Sequence, residues 1–212
     1  MGSEAGLRER KKRQTYEAVS EAAIALFLER GFDKVSVAEV AAAAGVSKPT
    51  LFRYFPTKED LVLHRFADHE DEAARVVAAG RAAGVAPLPA LHANFRQGLD
   101  RRDPVTGLCD NPHVHAYYRL LYGTPSLVAR LHAYQSRSQE ALAAELGEGL
   151  GARLAAVQII AVQRIIAEEN WRRIAAGEGV EALYAEAVRA ADQAFGQLGA
   201  GLGAEYGGGA TG

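Results

Sequence analysis

Cysteine is nearly absent from this chain of 212 residues, because Cys109 is its single thiol. One cysteine cannot form an internal disulfide, and the polar, basic start of the chain has no apolar run that could serve as a signal sequence. The longest apolar stretches, such as residues 154–162, are shorter than the roughly 18–20 residues needed to cross a bilayer. The sequence therefore predicts a cytoplasmic protein without a membrane span.

The sequence has few strand signals, and its formal net charge is only −2. Glycine and proline fall between stretches rather than inside them, and apolar residues recur at helical spacing, which predicts an all-α fold. Since 49% of the residues are apolar, most of the chain can bury a core and is not intrinsically disordered. Charge is unevenly placed: residues 1–58 carry a balance of +3 and the remainder −5. The basic run Arg8–Arg13 suits an N-terminal arm that lies along a polyanion.

Four helices are predicted in the first eighty residues. The first runs from about Arg10 to Arg30 and carries an apolar stripe on one face, formed by Tyr16, Val19, Ala23 and Phe27. The other three begin at hydroxyl caps, namely Ser36, with Glu39 completing a capping box, Ser47 and Thr57. Short, closely spaced helices of this kind indicate a compact N-terminal module.

Longer helices are predicted beyond residue 80, at 88–100, 112–122, 125–146, 151–176 and 180–198. The helix at 151–176 has two apolar stripes and should be buried on two sides, one of which needs a partner. Those stripes are Leu154, Val157, Ala161, Ile165 and Ile159, Val162, Ile166. The last helix has a matching stripe of mostly small residues: Leu183, Ala187, Ala190, Ala191, Ala194 and Leu198. Residues 199–212 are half glycine and predict a disordered tail.

Residues 36–54 have the pattern of a helix-turn-helix, with two capped short helices joined by a turn at Gly45. Val46 and Leu51 are predicted to face the core beneath the second helix. Its outward residues are then Lys48, Pro49, Thr50, Phe52, Arg53 and Tyr54. This mixture of cation, hydroxyl and ring suits the major groove of DNA. The spacing alone leaves a second interpretation open, since any two short packed helices can share a glycine turn.

The run at residues 45–61 (GVSKPTLFRYFPTKEDL), preceded by Ala22–Phe27 and Gly31-Phe32, resembles the N-terminal domain of TetR-type bacterial transcriptional repressors. The likeness covers residues 10–66. It implies a three-helix helix-turn-helix DNA-binding domain in residues 1–66, with the basic arm at its start and a recognition helix at about 47–54. A C-terminal helical ligand-binding and dimerisation domain is then expected in residues 67–198.

The resemblance also implies roles for individual residues. Lys48, Pro49, Thr50 and Phe52 would face bases, whereas Tyr54 and Lys58 would hold the phosphate backbone. The full set of DNA-binding candidates is Arg13, Gln14, Ser36, Ser47, Lys48, Pro49, Thr50, Phe52, Arg53, Tyr54 and Lys58.

Two departures from the family pattern bear on specificity. Position 52 is usually tyrosine in the family, so Phe52 lacks a hydroxyl. Val37 and Ala38 place no base-reading polar group at the start of the second helix. We therefore expect phosphate contacts and the basic arm to supply a large share of the affinity, which predicts a steep salt dependence.

A homodimer on a palindromic operator is implied as well, with half-sites about 34–36 Å apart or a multiple of that spacing. Helices 151–176 and 180–198 would form the dimer interface. An effector, an unknown small and partly apolar molecule, would bind in the second domain and change the spacing of the two DNA-binding domains in the dimer. The lining candidates combine aromatic and aliphatic side chains: Phe95, Leu99, Tyr117, Tyr118, Leu121, Tyr122, Ile166 and Trp171. By pattern, each of them also fits ordinary core.

Alternative functions remain open at this point. One is a helical protein-interaction module without DNA binding. Another is an enzyme, although no nucleophile elbow, phosphate-binding glycine loop or metalloprotease helix is present, so we expect no catalytic residues and no cofactor. Cys109, His113 and His115 lie close together, yet this spacing lacks the paired ligands of a zinc site, so no metal is expected. A sensing role for them is left open, as is the choice of repressor, which the resemblance implies, over activator.

Overall fold

The computed structural model describes residues 3–67, 69–202 and 204–207, and every regular element in this part of the chain is helical. The side chains of residues 3–9, 11–13, 65, 67, 204 and 205 lie outside the description. The helices are α1 Ser3–Arg30, α2 Val37–Ala43, α3 Lys48–Tyr54, α4 Asp60–Ala67, α5 Glu72–Ala82, α6 Pro87–Asp100, α7 Pro112–Gly123, α8 Pro125–Leu146, α9 Gly149–Ala175, α10 Val180–Leu202 and α11 Ala204–Gly207. A 3-10 turn, Pro104–Thr106, lies between α6 and α7. The predicted all-α class is confirmed.

Two compact units divide the chain. Unit 1 comprises the chain up to residue 67 together with residues 116–132, and unit 2 comprises residues 68–115 and 133 onward. The end of α7 and the start of α8 therefore belong with the N-terminal helices. This grouping differs from the sequence-based division at residue 66, because a helix pattern does not show which earlier helices a later segment packs against.

The core of unit 1 forms under α1. Val19, Ala23 and Phe27 recur on one face of that helix and are buried, as the stripe predicted. The buried residues Leu61, Val62 and Leu63 of α4 pack with α1, and the hydroxyl of Ser20 donates to the carbonyl of Leu61 at 2.7 Å. Apolar burial thus fixes α4 against α1.

In unit 2, α10 packs on α6 and α9 around a single apolar core. The 3-10 turn lies against α9, where the buried side-chain amide of Asn170 donates to the carbonyl of Thr106 at 2.9 Å. The next residue, Gly107, has φ +72°, and a Cβ built there would lie 1.9 Å from the carbonyl oxygen of Ala167. Only a residue without a side chain allows this close approach.

The two chain ends differ from their predictions. Helix α1 begins at Ser3 rather than at Arg10, so the predicted basic arm has a helical backbone. The reason is that residues 7–30 contain no glycine or proline, and the Arg, Lys and Glu residues at the start are strong helix formers. At the other end, α10 continues to Leu202 and α11 follows, with Tyr206 buried in the core of unit 2. The disordered-tail prediction is therefore wrong for residues 199–202 and 204–207, and its residues 208–212 lie outside the described part.

Helix α5 was missed by the sequence reasoning, which counted four helices in the first eighty residues. The fourth helix ends at Ala67, and α5 begins at Glu72 without proline or glycine between them. No side-chain cap marks the start of α5. The sequence therefore contains no glycine or proline that would mark the end of one helix and the start of the next.

The apolar stripe predicted to be available on α10 is mostly used by its own chain. Leu183, Ala187, Ala191 and Leu198 are buried in the core of unit 2, whereas Ala190 is exposed. For those four residues the helices that approach closely are α6 and α9 of the same chain, so these residues leave no apolar surface for a second copy.

The two stripes predicted on α9 have opposite fates. Ile159 and Ile166 of the second stripe are buried in the core of unit 2. Residues of the first stripe are exposed within the chain, with Leu154 at 52% and Ile165 at 55%. Among the described residues, α9 is also the one helix long and apolar enough to cross a membrane by length and composition, contrary to the prediction made from shorter runs. Since one side of α9 is core, only the first stripe is left for another surface.

Candidate nucleic-acid interface

The first helix of the predicted helix-turn-helix, α2, begins at the predicted capping box. The hydroxyl oxygen of Ser36 accepts from the backbone N–H of Glu39 at 3.3 Å, and the backbone N–H of Ser36 donates to the carboxylate of Glu39 at 2.8 Å. Both orphan donors at this helix start are thereby satisfied. Residue types read from sequence predicted this local structure correctly.

Glu39 also joins α2 to the end of α1. Its second carboxylate oxygen accepts from Arg30 at 2.7 Å. The pKa of Glu39 is lowered to about 2, chiefly by the backbone N–H of Ser36, then by the Ser36 hydroxyl and by Arg30. The ionised form is therefore the one that holds the Ser36 turn in place.

We expect Glu39→Gln to remove a pH-dependent part of the stability. Because the folded-state pKa is depressed, the contribution is complete above the unfolded pKa of about 4.5 and is lost as the pH falls toward about 2. The free energy of unfolding of wild type minus that of the variant should shrink across this window in urea titrations. A difference that stays constant from pH 6 to about 2.5 would contradict the prediction.

The second helix, α3, follows a tight turn. Gly45 has φ +66°, the left-handed conformation that a turn requires and that glycine adopts without strain. Ser47 caps α3 by accepting from the backbone N–H of Thr50 at 3.2 Å, and the two hydroxyl oxygens lie 2.8 Å apart. Pro49 occupies the first turn, where no helical N–H is needed. The turn and caps fix how α3 is presented.

Burial along α3 separates an inner from an outer side. Leu51 is fully buried, as predicted, whereas Phe52 is 41% exposed. The remaining predicted groove residues are exposed at Lys48, Pro49 and Arg53 and half-buried at Thr50 and Tyr54. The outer side therefore presents two cations, a hydroxyl and aromatic rings together.

Cations and rings pair along this outer side. The ammonium of Lys48 lies 5.9 Å from the ring centre of Phe52, and the guanidinium of Arg53 lies 5.2 Å from the ring of Tyr54. Such cation–π contacts are worth about 0.5–1 kcal/mol at exposed sites. They leave the charges accessible while restricting where the side chains point.

An aromatic cluster packs against the C-terminal end of α3. The ring of Tyr16 contacts Tyr54 edge-on at 5.9 Å, stacks on Phe55 at 4.3 Å and meets His64 at 4.4 Å. Tyr16, on α1, thus orients the end of the candidate recognition helix. The sequence placed Tyr16 on the apolar stripe of α1 but gave no signal of the three rings it meets.

Lys58 has a structural contact besides its predicted phosphate role. Its ammonium donates to the carbonyl oxygen of Phe32 at 2.5 Å and lies 4.3 Å from that ring's centre and 5.4 Å from the ring of Phe27. An ammonium carries three donors, so one carbonyl contact is compatible with a phosphate contact. Lys58 therefore joins the loop after α1 to the start of α4.

The other predicted DNA-binding residues have mixed positions. Gln14 is exposed on α1. Arg13 lies in α1, but its side chain is outside the described part of the structure. The hydroxyls of Ser36 and Ser47 serve as helix caps.

The predicted ligand-lining residues are not brought together in one unit. Phe95, Leu99 and Ile166 belong to the core of unit 2, and Trp171 is half-buried in that unit. The others fall in unit 1: Tyr117, Tyr118, Leu121 and Tyr122. Spacing along the chain could not reveal this division, because it arises where α7 leaves one unit for the other.

Cys109 is buried, and its carbonyl oxygen lies 2.7 Å from Nε2 of His115. His113 is exposed. Within the described residues, no group of three or more His, Cys, Asp or Glu side chains is arranged to hold a metal ion.

Known proteins share this sequence pattern. The model of the family described as "Bacterial regulatory proteins, tetR family" matches residues 19–64. The HTH-type transcriptional regulator TcmR of Streptomyces glaucescens is 37% identical over 136 residues, which is 64% of this chain and 58% of that protein. The chain thus matches less than two thirds of the length of this relative.

Solved structures share the fold. NalD, the secondary repressor of the MexAB-OprM multidrug efflux pump in Pseudomonas aeruginosa, aligns with a TM-score of 0.56 and 16% identity over 86% of this chain and 96% of that chain. FadR from Bacillus subtilis, solved with stearoyl-CoA, aligns with a TM-score of 0.51 and 18% identity over 83% and 97%. The capped helix-turn-helix lies within the residues that match the tetR family model, and the solved structures share the helical fold of the chain.

Proposed function

We propose that this protein is a DNA-binding transcriptional regulator, a ligand-responsive repressor that binds a palindromic operator as a homodimer. The observation that carries the proposal is the outer side of α3, where Lys48, Phe52 and Arg53 are exposed next to the buried Leu51. Lys48 can donate to guanine O6 or N7, and Phe52 can cover a thymine methyl. Arg53, Tyr54 and Lys58 suit the phosphate backbone.

A second copy of the chain is the partner that fits the exposed stripe of α9. Leu150, Leu154, Val157 and Ile165 share one face of this helix and are all exposed. A contiguous apolar face on a folded chain marks an interface, and a two-fold dimer of heads matches the two halves of a palindrome. On α10, Ala182, Ala185, Ala190 and Gly196 are exposed small residues that allow close helix approach.

Effector binding is proposed for unit 2. Phe95, Leu99, Ile166 and Trp171 keep the mixed aromatic and aliphatic character of a site for a small, partly apolar molecule. To release DNA, such a molecule must bind the conformation that does not hold the operator more tightly than the one that does. The regulator would act in the bacterial cytoplasm, at the nucleoid.

Replacing both exposed cations of α3 tests DNA binding. Wild-type protein should select a duplex from random-sequence DNA, and Lys48→Ala with Arg53→Ala should weaken binding to that duplex. Each lost contact is worth about 1–3 kcal/mol if it reads a base. If it neutralises a phosphate, the slope of log K against log salt should fall by about 0.9. Fluorescence anisotropy at several salt concentrations measures both quantities.

Arg101→Ala is the matched control, because it removes an exposed positive charge from unit 2. It should leave the affinity unchanged. If wild type selects no duplex, or if the double variant binds as tightly as wild type, the chain is instead a helical interaction module. Dimerisation of the double variant should persist, because α3 belongs to unit 1 and the exposed stripe of α9 belongs to unit 2.

A further inference from the structure

Helix α8 supplies an arginine to unit 1 from far along the chain. Arg130 donates through Nε to one carboxylate oxygen of Asp60 at 2.8 Å and through Nη2 to the other at 3.1 Å. The side chain of Asp60 is 5% exposed and that of Arg130 is 34% exposed. A buried carboxylate requires such a partner, because an uncompensated buried charge is strongly destabilising. The two-point geometry also fixes its orientation.

The same carboxylate organises the start of α4. Oδ2 of Asp60 accepts from the backbone N–H of Thr57 at 3.1 Å and from its hydroxyl at 2.8 Å. In return, the Thr57 hydroxyl oxygen accepts from the backbone N–H of Asp60 at 3.2 Å. Arg130 therefore binds the Asp60 carboxylate, which closes the turn at residues 57–60.

Lys58 lies inside this turn. Its backbone is held between Thr57 and Asp60, and its ammonium contacts the carbonyl of Phe32. A second contact in the same unit reinforces the arrangement, since the buried hydroxyl of Tyr117 donates to the carbonyl of Val62 in α4 at 2.9 Å. The segment at residues 116–132 thus holds α4 at two places.

We propose that Arg130 is a positioning residue for DNA binding, acting through Asp60 and the turn at residues 57–60 to place Lys58 against the phosphate backbone. The inference rests on the proposed function. It assigns part of the DNA affinity to a residue outside the matched family region of 19–64. Loss of Arg130 releases one side of the Asp60 carboxylate, so the turn samples other positions and the Lys58 contact weakens.

A double-mutant cycle between Arg130→Met and Lys58→Ala tests the inference on the duplex selected by wild-type protein. Each single variant should bind that duplex about 10-fold more weakly, and the double variant should also be only about 10-fold weaker than wild type. Residues that act along one path give such non-additive effects, whereas independent residues add. Arg130→Lys, which keeps the charge but loses the two-point geometry, should fall between wild type and Arg130→Met.

Arg137→Met separates positioning from stability. Arg137 makes a comparable two-point pair with Glu70, but in unit 2. Both arginine variants should lower the melting temperature, and only Arg130→Met should change the affinity for DNA at a temperature where all proteins are folded. If Arg130→Met does not fold, Arg130→Lys is measured in the same cycle.

Several results would overturn the inference. Affinity of Arg130→Met within two-fold of wild type would do so, as would a double variant about 100-fold weaker, or no effect of Lys58→Ala. The proposed function would survive these results, provided that wild type binds the duplex and that Lys48→Ala with Arg53→Ala binds it more weakly. Failure of wild type to bind any duplex would instead remove the proposed function, and this inference with it.

Discussion

Gly107→Ala is expected to lower the free energy of unfolding by about 2–5 kcal/mol. Forcing a β-carbon into the left-handed conformation costs about 1–2 kcal/mol, and overpacking adds about 1–3 kcal/mol. At this position the added atom would lie 1.9 Å from the carbonyl oxygen of Ala167, so the turn must move away from α9. That movement also endangers the buried hydrogen bond between Asn170 and Thr106. Urea denaturation at fixed protein concentration measures the loss.

Gly84→Ala supplies the matched control. Its φ of +73° is nearly the same, but a β-carbon there meets nothing within 4 Å. Only the conformational cost of about 1–2 kcal/mol should remain. Equal losses in the two variants would mean that the contact between the turn and α9 is not tight, and that the packing described for unit 2 is incorrect at this place.

Leu154→Asp with Ile165→Asp is expected to leave the protein monomeric at micromolar concentration. In a two-fold dimer every substitution appears twice, so four carboxylates would enter the apolar contact. A buried charge without a partner commonly costs about 3–5 kcal/mol. A monomer reads one half-site only, so its affinity for the selected duplex should fall by about 1,000-fold, toward non-specific binding. Sedimentation velocity and anisotropy measure the two effects.

Val85→Asp is the control for added charge, because Val85 is an exposed apolar residue between α5 and α6. It should remain dimeric and bind DNA normally. A wild-type chain that sediments as a monomer, or a double aspartate variant that still dimerises, would refute the assignment of the α9 stripe to a second copy. Circular dichroism of the variant should match wild type, since both substituted side chains are exposed within the chain.

Local features were the ones that the sequence predicted well. Ser36 with Glu39 specified the start of α2, and Ser47 specified that of α3, because a cap depends on residues only three positions apart. The orientation of α3 followed from the prediction that Leu51 faces the core, and its burial leaves Lys48, Phe52 and Arg53 exposed. The resemblance of residues 45–61 to a known family then supplied the prediction of DNA binding that spacing alone left open.

Contacts between distant residues were beyond the sequence. Asp60 and Arg130 are 70 positions apart, and neither position departs from an ordinary surface pattern. The stripe on α10 was read correctly as apolar, yet periodicity cannot say whether α6 or a second chain covers it. Tyr206 shows the same limit, because its burial depends on α10 extending past Leu198 to bring it back to the core.

The lone thiol makes this protein convenient for distance spectroscopy. Cys109 is the single cysteine of the sequence. Because its side chain is only 8% exposed, thiol-directed reagents reach it slowly. A cysteine introduced at Ala25, which is exposed on α1, would therefore take a spin label selectively in the otherwise native protein. In a symmetric dimer each chain carries one such label, so the dimer carries two. The distance between the two labels, recorded with and without a candidate effector, would report directly on the separation of the two N-terminal domains.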